Sequence, residues 1–325
     1  MLVLGIEGTA HTMGIGIVNS KNEVLADVRK TYVPAAGIHP REAAHFLGEN
    51  IKPALDEAFN QANLKFKDID MISFSQGPGL GPCLRTAATA ARTLSLYHNI
   101  PLLGVNHCVA HIEIGKVLGN FKDPLALYVS GANTQITKLK ESRYRVFGET
   151  LDIGIGNMLD KFGRETGMKH PAGPKVEELA RKGKKYIEMP YVVKGTDLSF
   201  SGILTSAVEK YKKGESLEDI CYSLQETSFS MLCEVTERAL AHLKANEVIL
   251  IGGVGYNKRL QEMLSLVAEE HNAKFFTPVK YCGDNGVMIA MLGLLEHESG
   301  VRMKFEDTVV IPDQRTDDID VIWNI

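Results

Sequence analysis

Apolar and polar positions follow two rhythms along the chain, and the order of those rhythms repeats once. Residues 2–6, 14–19 and 24–32 are rich in branched side chains, are broken by Gly and Asn, and predict three successive strands. Residues 41–63 change to a helical spacing, with Ala43, Phe46, Leu47, Ile51, Leu55 and Phe59 three and four apart. An apolar run at 71–75 predicts a buried strand, followed by a Gly-Pro loop, a helix at 84–96, a strand at 101–105 and a helix at 109–118. The second round predicts strands at 125–130, 134–139 and 144–150 and helices at 156–166 and 174–181. A polar stretch, 182–200, reads as an insertion. Helices are expected again at 202–211, 217–243, 258–270 and 285–298, with strands at 247–251 and 274–276. Hairpins followed by alternating helices and strands predict an α/β fold of mixed sheets covered by helices. Two units are expected, residues 1–120 and 121–300, with a cleft between them and the tail 301–325 packed back on the first.

Composition narrows the functional classes. A chain of 325 residues with 44% apolar and 23% charged residues is ordinary globular protein, which excludes wholesale disorder. Thirty-six basic residues oppose forty acidic ones, and the segment from residue 304 onward holds two basic and six acidic residues. The remainder therefore balances, so any nucleic-acid surface must be a local patch rather than a bulk basic field. Five cysteines (Cys83, Cys108, Cys221, Cys233 and Cys282) with no C-x-x-C pair argue against a disulfide framework and a zinc knuckle. The start has neither a basic region nor a small-residue cleavage site, and the longest apolar run is short of a membrane span. A soluble, cytoplasmic protein is expected.

Four glycine-bearing turns stand at strand ends: Glu7-Gly8-Thr9, Gly77-Pro78-Gly79-Leu80-Gly81, Ser130-Gly131-Ala132-Asn133 and Gly252-Gly253-Val254-Gly255-Tyr256-Asn257. Such turns either close the chain tightly or let backbone N–H groups approach a phosphate. None has the Walker or dinucleotide spacing, which disfavours P-loop and Rossmann chemistry. His107 and His111 are four apart, on one helix face, where two imidazoles either share a metal or sit as ordinary buried histidines. Cys108 follows the first histidine where zinc-peptidase chemistry requires a Glu, so peptide hydrolysis by that route is disfavoured. Asp284, before the last helix, and Tyr128, at a strand end, are candidate oxygen ligands; a helix cap and a core tyrosine are the plain alternatives. Two basic runs, 181–185 and 210–213, fit either a phosphate backbone or solvated helix ends. Glu7, Asp160 and Glu177 adjoin turns or helix starts and are candidate acceptors for a polar ligand.

These motifs occur together and in order, with Asn106-His107 through His111-Ile112-Glu113, Tyr128-Val129-Ser130-Gly131 and Cys282-Gly283-Asp284-Asn285-Gly286. From Met1 to about Trp323 the chain resembles the catalytic-subunit family of the archaeal and eukaryotic KEOPS complex. These are the tRNA N6-adenosine threonylcarbamoyltransferases, formerly regarded as O-sialoglycoprotein endopeptidase-like. The resemblance implies an actin-like, sugar-kinase-like ATPase fold of two ribonuclease-H-like lobes. It implies one divalent metal, Fe2+ or Zn2+, held by His107, His111 and Asp284 with Tyr128 on or beside it. Threonylcarbamoyl-AMP would be bound by Tyr128, Val129, Ser130, Gly131, Ala132, Asp160, Gly173, Glu177 and Asn257, in a cleft that also accepts ATP. The implied partners are tRNA and the KEOPS subunits: a small kinase/ATPase, a dimerising Pcc-type subunit and a Cgi-type subunit. No fused kinase domain is expected to follow.

Three short stretches depart from the family pattern. Ala132 and Ala172 stand where Gly is usual, and Gly255-Tyr256 replaces two small residues, so a narrower approach to the ligand is expected there. Glu7 is the expected group assisting proton removal from the attacking amine. The rival readings are a small-molecule kinase of the same fold, a metallopeptidase and a nucleotide-gated assembly subunit.

Overall fold

The structure is a computed structural model that describes residues 1–34 and 37–323; residues 324 and 325 of the expected tail lie outside the described residues. The strands are β1 (Leu2–Glu7), β2 (Thr12–Asn19), β3 (Val24–Thr31), β4 (Met71–Gly77), β5 (Leu102–Asn106), β6 (Leu125–Val129), β7 (Thr134–Lys140), β8 (Arg143–Glu149), β9 (Val193–Lys194), β10 (Asp197–Leu198), β11 (Glu247–Ile251) and β12 (Lys274–Phe276). The helices are α1 (Pro40–Ala62), α2 (Gly81–His98), α3 (His107–Gly119), α4 (Ile155–Glu165), α5 (Gly173–Ala180), α6 (Ser201–Lys212), α7 (Leu217–Leu243), α8 (Lys258–Glu270) and α9 (Gly286–Glu298).

One five-stranded sheet has the order β3-β2-β1-β4-β5 and the other β12-β11-β6-β7-β8. In each, a three-stranded antiparallel meander is followed by two parallel strands reached through helices. The two rounds of the sequence pattern are therefore two copies of one topology. Helices α1 and α2 cover one face of the first sheet, where Leu4, Ile6, Ile15, Leu47, Phe74 and Ala87 share a core. Helices α4 to α8 cover the far face of the second sheet. Between the sheets lie α3 and α9, packed with Val3 and Val105 of the first and Ala126, Tyr128 and Ile249 of the second. That position explains why residues 286–295 of α9 are apolar all round: both sides of the helix face protein.

By chain order α9 falls in the second expected unit, yet it packs against β1 and β2 of the first sheet. Glycine makes the contact close. A Cβ on Gly16 would lie 2.3 Å from the Val287 backbone nitrogen, and one on Gly286 would lie 2.2 Å from the Gly16 nitrogen. The polar stretch 182–200 holds the β9–β10 ribbon and buries Ile187, Met189, Leu198 and Phe200 in the second core. The tail runs across both halves. Gln76 donates to the Asp307 and Val309 carbonyls, Arg92 grips Thr308, and the Val321 N–H reaches the Ser142 carbonyl. Among the described residues no helix is long and apolar enough to cross a membrane.

Candidate metal centre and substrate cleft

The parallel strands β1, β4, β5, β6 and β11 all end at Glu7, Gly77, Asn106, Val129 and Ile251, and the four glycine-bearing turns begin at or just after these ends. The C-terminal ends of parallel strands are where open α/β sheets bind ligands, because the connections there leave a crevice. Asn106 ends β5 and caps α3, its Oδ1 accepting from the Val109 N–H at 3.0 Å. His107 is thereby the first helical residue, and His111 sits one turn later with its ring 4.8 Å from that of His107, edge to face.

Asp284 completes the group. Its Oδ1 lies 3.6 Å from His107 Nε2 and 3.4 Å from His111 Nε2, and the donor atoms of all three side chains fall within 4.8 Å of one another. A tetrahedron with bonds of about 2.1 Å has edges of about 3.4 Å, so the donor spacing suits one small cation. Asp284 is free for this because the residue capping α9 is Asn285, whose Oδ1 accepts from the Met288 N–H at 2.9 Å. The plain reading of Asp284 as a helix cap therefore fails. His111 Nδ1 is buried with no hydrogen-bond partner among the described residues, so Nε2 is its one nitrogen directed at the group.

Glu7 sets the other ring. Its Oε2 lies 3.0 Å from His107 Nδ1, and its Oε1 accepts from both the N–H and the hydroxyl of Thr9, at 2.7 and 2.6 Å. A carboxylate behind a histidine fixes the tautomer that leaves Nε2 for a metal. Burial disfavours a charged His107, but the charge and hydrogen bond of Glu7, with Asp284 beyond, outweigh it and raise the ring to about 9. Burial lowers His111, with His107 adding to the effect. At Asp284 burial opposes ionisation, yet the His111 hydrogen bond and the histidine charges hold it below the usual carboxylate range. Burial pushes the Cys108 thiol up to about 12, so it stays protonated beside the centre.

A cation entering this site must expel the His107 proton at any pH below about 9. Metal affinity is therefore expected to rise about tenfold per pH unit across neutrality and to flatten above about 9, with one proton released per metal bound. Calorimetry in buffers of different ionisation enthalpy measures both. Without metal the sign reverses. The stability that charged His107 draws from Glu7 is complete below its ordinary 6.5 and fades as pH rises through about 9.

The expected substrate residues gather on one side. Ser130 and Gly131 turn their carbonyls to α4, accepting from the Gly156 and Asn157 N–H groups at 3.1 and 2.9 Å. Gly131 and Ala132 are exposed. Gly252 has φ +92°, and a Cβ there would strike the Val129 carbonyl at 2.3 Å, so the β11 turn lies directly on the end of β6. Asp160 receives the Ala172 N–H at 2.7 Å and lies 3.2 Å from His170 Nδ1, beside Gly173 at the start of α5. Glu177 receives the Lys258 N–H at 3.2 Å, next to Asn257, which caps α8 and donates to Gln225 at 3.0 Å. The Tyr128 ring is 5.2 Å from that of His111; burial first, with the Asp284 charge adding to it, keeps its phenol protonated.

Ala172 and Tyr256 have defined surroundings. Ala172 is buried and its methyl lies over Gly163 of α4, where a second Cβ would sit 2.2 Å away. It points into protein, so no narrowing of the cleft follows from it. The Tyr256 hydroxyl accepts from the Gly283 N–H at 3.1 Å, with Arg29 at 3.5 Å, so the ring lies against the loop that carries Asp284. Of the basic runs, Arg181 and Lys182 pair with Glu177 and Glu178, and the Lys184 and Lys185 N–H groups rest on Asp219. Sequence reasoning missed the hydrogen-bonding roles of Asn106 and Thr9, and it expected the tail on the first unit without its contact to Ser142. Asn directly before a helical run is a cap signal that would have found the first; the tail carries no periodic signal.

The profile of the family described as TsaD, tRNA N6-adenosine threonylcarbamoyltransferase, matches residues 22–291. The tRNA N6-adenosine threonylcarbamoyltransferase of Thermococcus kodakarensis is 57% identical, across 100% of both chains. A probable bifunctional tRNA threonylcarbamoyladenosine biosynthesis protein of Methanocaldococcus jannaschii is 55% identical over 99% of this chain and 60% of that one. Among solved structures, HypF of T. kodakarensis superposes with a TM-score of 0.64 at 18% identity, covering 91% of this chain and 48% of that one. The fold is thus the actin-like, sugar-kinase-like α/β fold. The chain belongs to the tRNA N6-adenosine threonylcarbamoyltransferase family.

Proposed function

We propose that the chain moves the threonylcarbamoyl group of threonylcarbamoyl-AMP onto the N6 amine of adenosine 37 in tRNAs reading ANN codons, as the catalytic subunit of KEOPS. The observation that carries the reading is the convergence of His107, His111 and Asp284 beside the Tyr128–Ala132 turn. Two imidazoles and one carboxylate with open positions suit Fe2+ first and Zn2+ second. When bound, the cation supplies Lewis-acid polarisation of the carbamoyl carbonyl and a template for the threonyl part.

The amine nitrogen bonds to the carbamoyl carbon, the carbon–oxygen bond to phosphate breaks, AMP leaves with the electron pair, and the amine proton passes to water. AMP is a good leaving group, so no protein nucleophile is required. The turn 130–132 and Asn257 hold the adenylate, with Asp160 and Glu177 as acceptors for its hydroxyls and Gly173 allowing close approach. Glu7 has both oxygens engaged, which favours a role in orienting His107 over open proton abstraction. Glu7→Gln is therefore expected to weaken metal binding by about 10- to 100-fold; competition against a chelator of known affinity checks it.

The substrate lies in the cleft between the lobes, divided near residue 120. With its charge nearly balanced, the chain shares its grip on tRNA with the kinase/ATPase, Pcc-type and Cgi-type subunits, in the cytoplasm. The test combines the chain and these subunits with ATP, threonine, bicarbonate, the enzyme that makes the adenylate, and unmodified tRNA. Threonylcarbamoyladenosine in the nuclease digest by mass spectrometry supports the reading. Full transfer by chelator-stripped protein overturns its metal-dependent form.

A further inference from the structure

Three segments distant in sequence meet at the Tyr256 ring. Tyr256 stands in the turn after β11, directly before Asn257, and Gly283 stands directly before the carboxylate of the metal group, Asp284. Beyond the hydrogen bond from the Gly283 N–H, the ring lies on the glycine itself. A Cβ on Gly283 would be 3.2 Å from Tyr256 Cε2 and 3.4 Å from the hydroxyl oxygen. The third segment is β3 of the first sheet. Arg29 directs Nη1 to the Tyr256 hydroxyl at 3.5 Å and donates from Nη2 to the Lys280 carbonyl at 2.8 Å. Its Nε and Nη2 also pair with Asp27, at 3.0 and 2.8 Å. A guanidinium presents its donors in a rigid fork, so Asp27 behind it sets the direction in which it meets the other two groups.

The turn that carries Tyr256 is itself firmly closed. The Gly255 N–H donates to the Gly252 carbonyl at 2.8 Å and the Asn257 N–H to the Val254 carbonyl at 3.0 Å. The Gly255 carbonyl accepts from Gln261 of α8 at 2.7 Å. The loop before Asp284 is tied from its other side, where the Asn285 side-chain amide donates to the Gly283 and Tyr281 carbonyls at 2.9 and 3.3 Å. Tyr256 is 42% exposed, so burial in a core does not account for its ring. Its polar contacts run instead to Arg29 and to the loop whose next residue supplies the carboxylate.

We infer that Tyr256 is a positioning residue for Asp284, and that through it the metal centre and the expected adenylate turn are coupled. The positioning half stands on the geometry; the coupling half rests on the proposed reading of Asn257 and its turn as an adenylate wall. A cation needs the Asp284 oxygen held beside both imidazoles, where it now lies 3.6 and 3.4 Å from their Nε2 atoms. A loop free to swing would lose that spacing, and the hydroxyl of Tyr256 fixes the peptide immediately before the carboxylate. A nucleoside held at Asn257 steadies the turn, and the steadied turn holds the loop. Linkage makes the effect reciprocal: a metal at Asp284 must favour the nucleoside by the same factor.

The test uses the full chain, Tyr256→Phe and Tyr256→Ala, with Zn2+ and adenosine as the probes. Tyr256→Phe keeps the ring on Gly283 and removes only the acceptor. By chelator competition it is expected to bind Zn2+ about three- to tenfold more weakly, and Tyr256→Ala more weakly still. The melting temperature of the metal-free protein should move little, because the hydrogen bond is exposed. A merely structural role gives the opposite pattern, a lower melting temperature with Zn2+ affinity unchanged. Unchanged Zn2+ affinity in both folded variants overturns the proposal. Adenosine lacks the phosphate and carbamoyl groups by which the adenylate would reach a metal, so a change in its affinity on adding Zn2+ passes through the protein. That change is expected to be about fivefold or more in the wild type and to vanish in Tyr256→Ala. A wild type without it, or a Tyr256→Ala chain that keeps it, overturns the coupling. Wild-type protein that binds Zn2+ in the Tyr256-dependent way and never binds adenosine removes the coupling and the adenylate wall together, and leaves the positioning role standing.

Discussion

His107→Ala is expected to purify with little transition metal and to lose transfer by about a thousandfold or more, corresponding to the several kcal/mol that a Lewis acid supplies. The magnitude follows from where His107 sits. It contributes one of three donor atoms that lie within 4.8 Å, and it is the one held from behind by Glu7. Its loss leaves Asp284 with His111 alone and leaves the buried Glu7 carboxylate without its ring partner. An uncompensated buried charge is destabilising, so a lower melting temperature should accompany the loss. His111→Ala should match it in metal content and lose less stability, because it removes the Asp284 hydrogen bond but leaves the buried Glu7–His107 pair intact. Metal per chain by mass spectrometry, single-turnover transfer and thermal unfolding together separate the two variants. A His107→Ala chain that keeps stoichiometric metal and full transfer would remove the centre from the mechanism.

The second large effect is expected at a backbone contact beneath the loop that carries Asp284. Gly16→Ala places a methyl carbon 2.3 Å from the Val287 backbone nitrogen, and backbone cannot turn aside as a flexible side chain does. Either β2 or the start of α9 must move, at about 1–3 kcal/mol or more. Asp284 lies just before α9, so metal affinity should fall together with stability. Gly48→Ala is the contrasting case. Its added carbon meets only the Thr86 methyl at 3.8 Å, inside α1, and alanine there should stabilise by about 0.5–1 kcal/mol. Denaturant midpoints for the pair, with metal titrations alongside, test whether the glycine contact holds the ligand in place. Equal stability for the two variants would contradict it.

Some of the site was legible because its signals are local. The four-residue spacing of His107 and His111 puts both rings on one face of any helix that forms there, and α3 forms there. Alternation and three-four spacing likewise placed α7, α8, β11 and β12 at their observed bounds. Asp284 was different. Alone it reads as a helix cap, and only the structure shows Asn285 taking that task and leaving the carboxylate free. Glu7 was recognisable as an acid at a strand end, but its role was not. Which of its oxygens are engaged depends on Thr9 nearby in sequence and on His107 a hundred residues away.

Periodicity, turn residues and charge balance determined the elements, their order, the repeated sheet topology and the histidine pair, since each depends on neighbours within a turn or two of chain. The tertiary structure alone decided that α9 lies between the sheets, that Ala172 packs over Gly163, and that the acidic tail lies beside Cys108 and Gln135. Those outcomes depend on contacts between segments distant in sequence, and close backbone approach leaves no periodic trace in the order of residues.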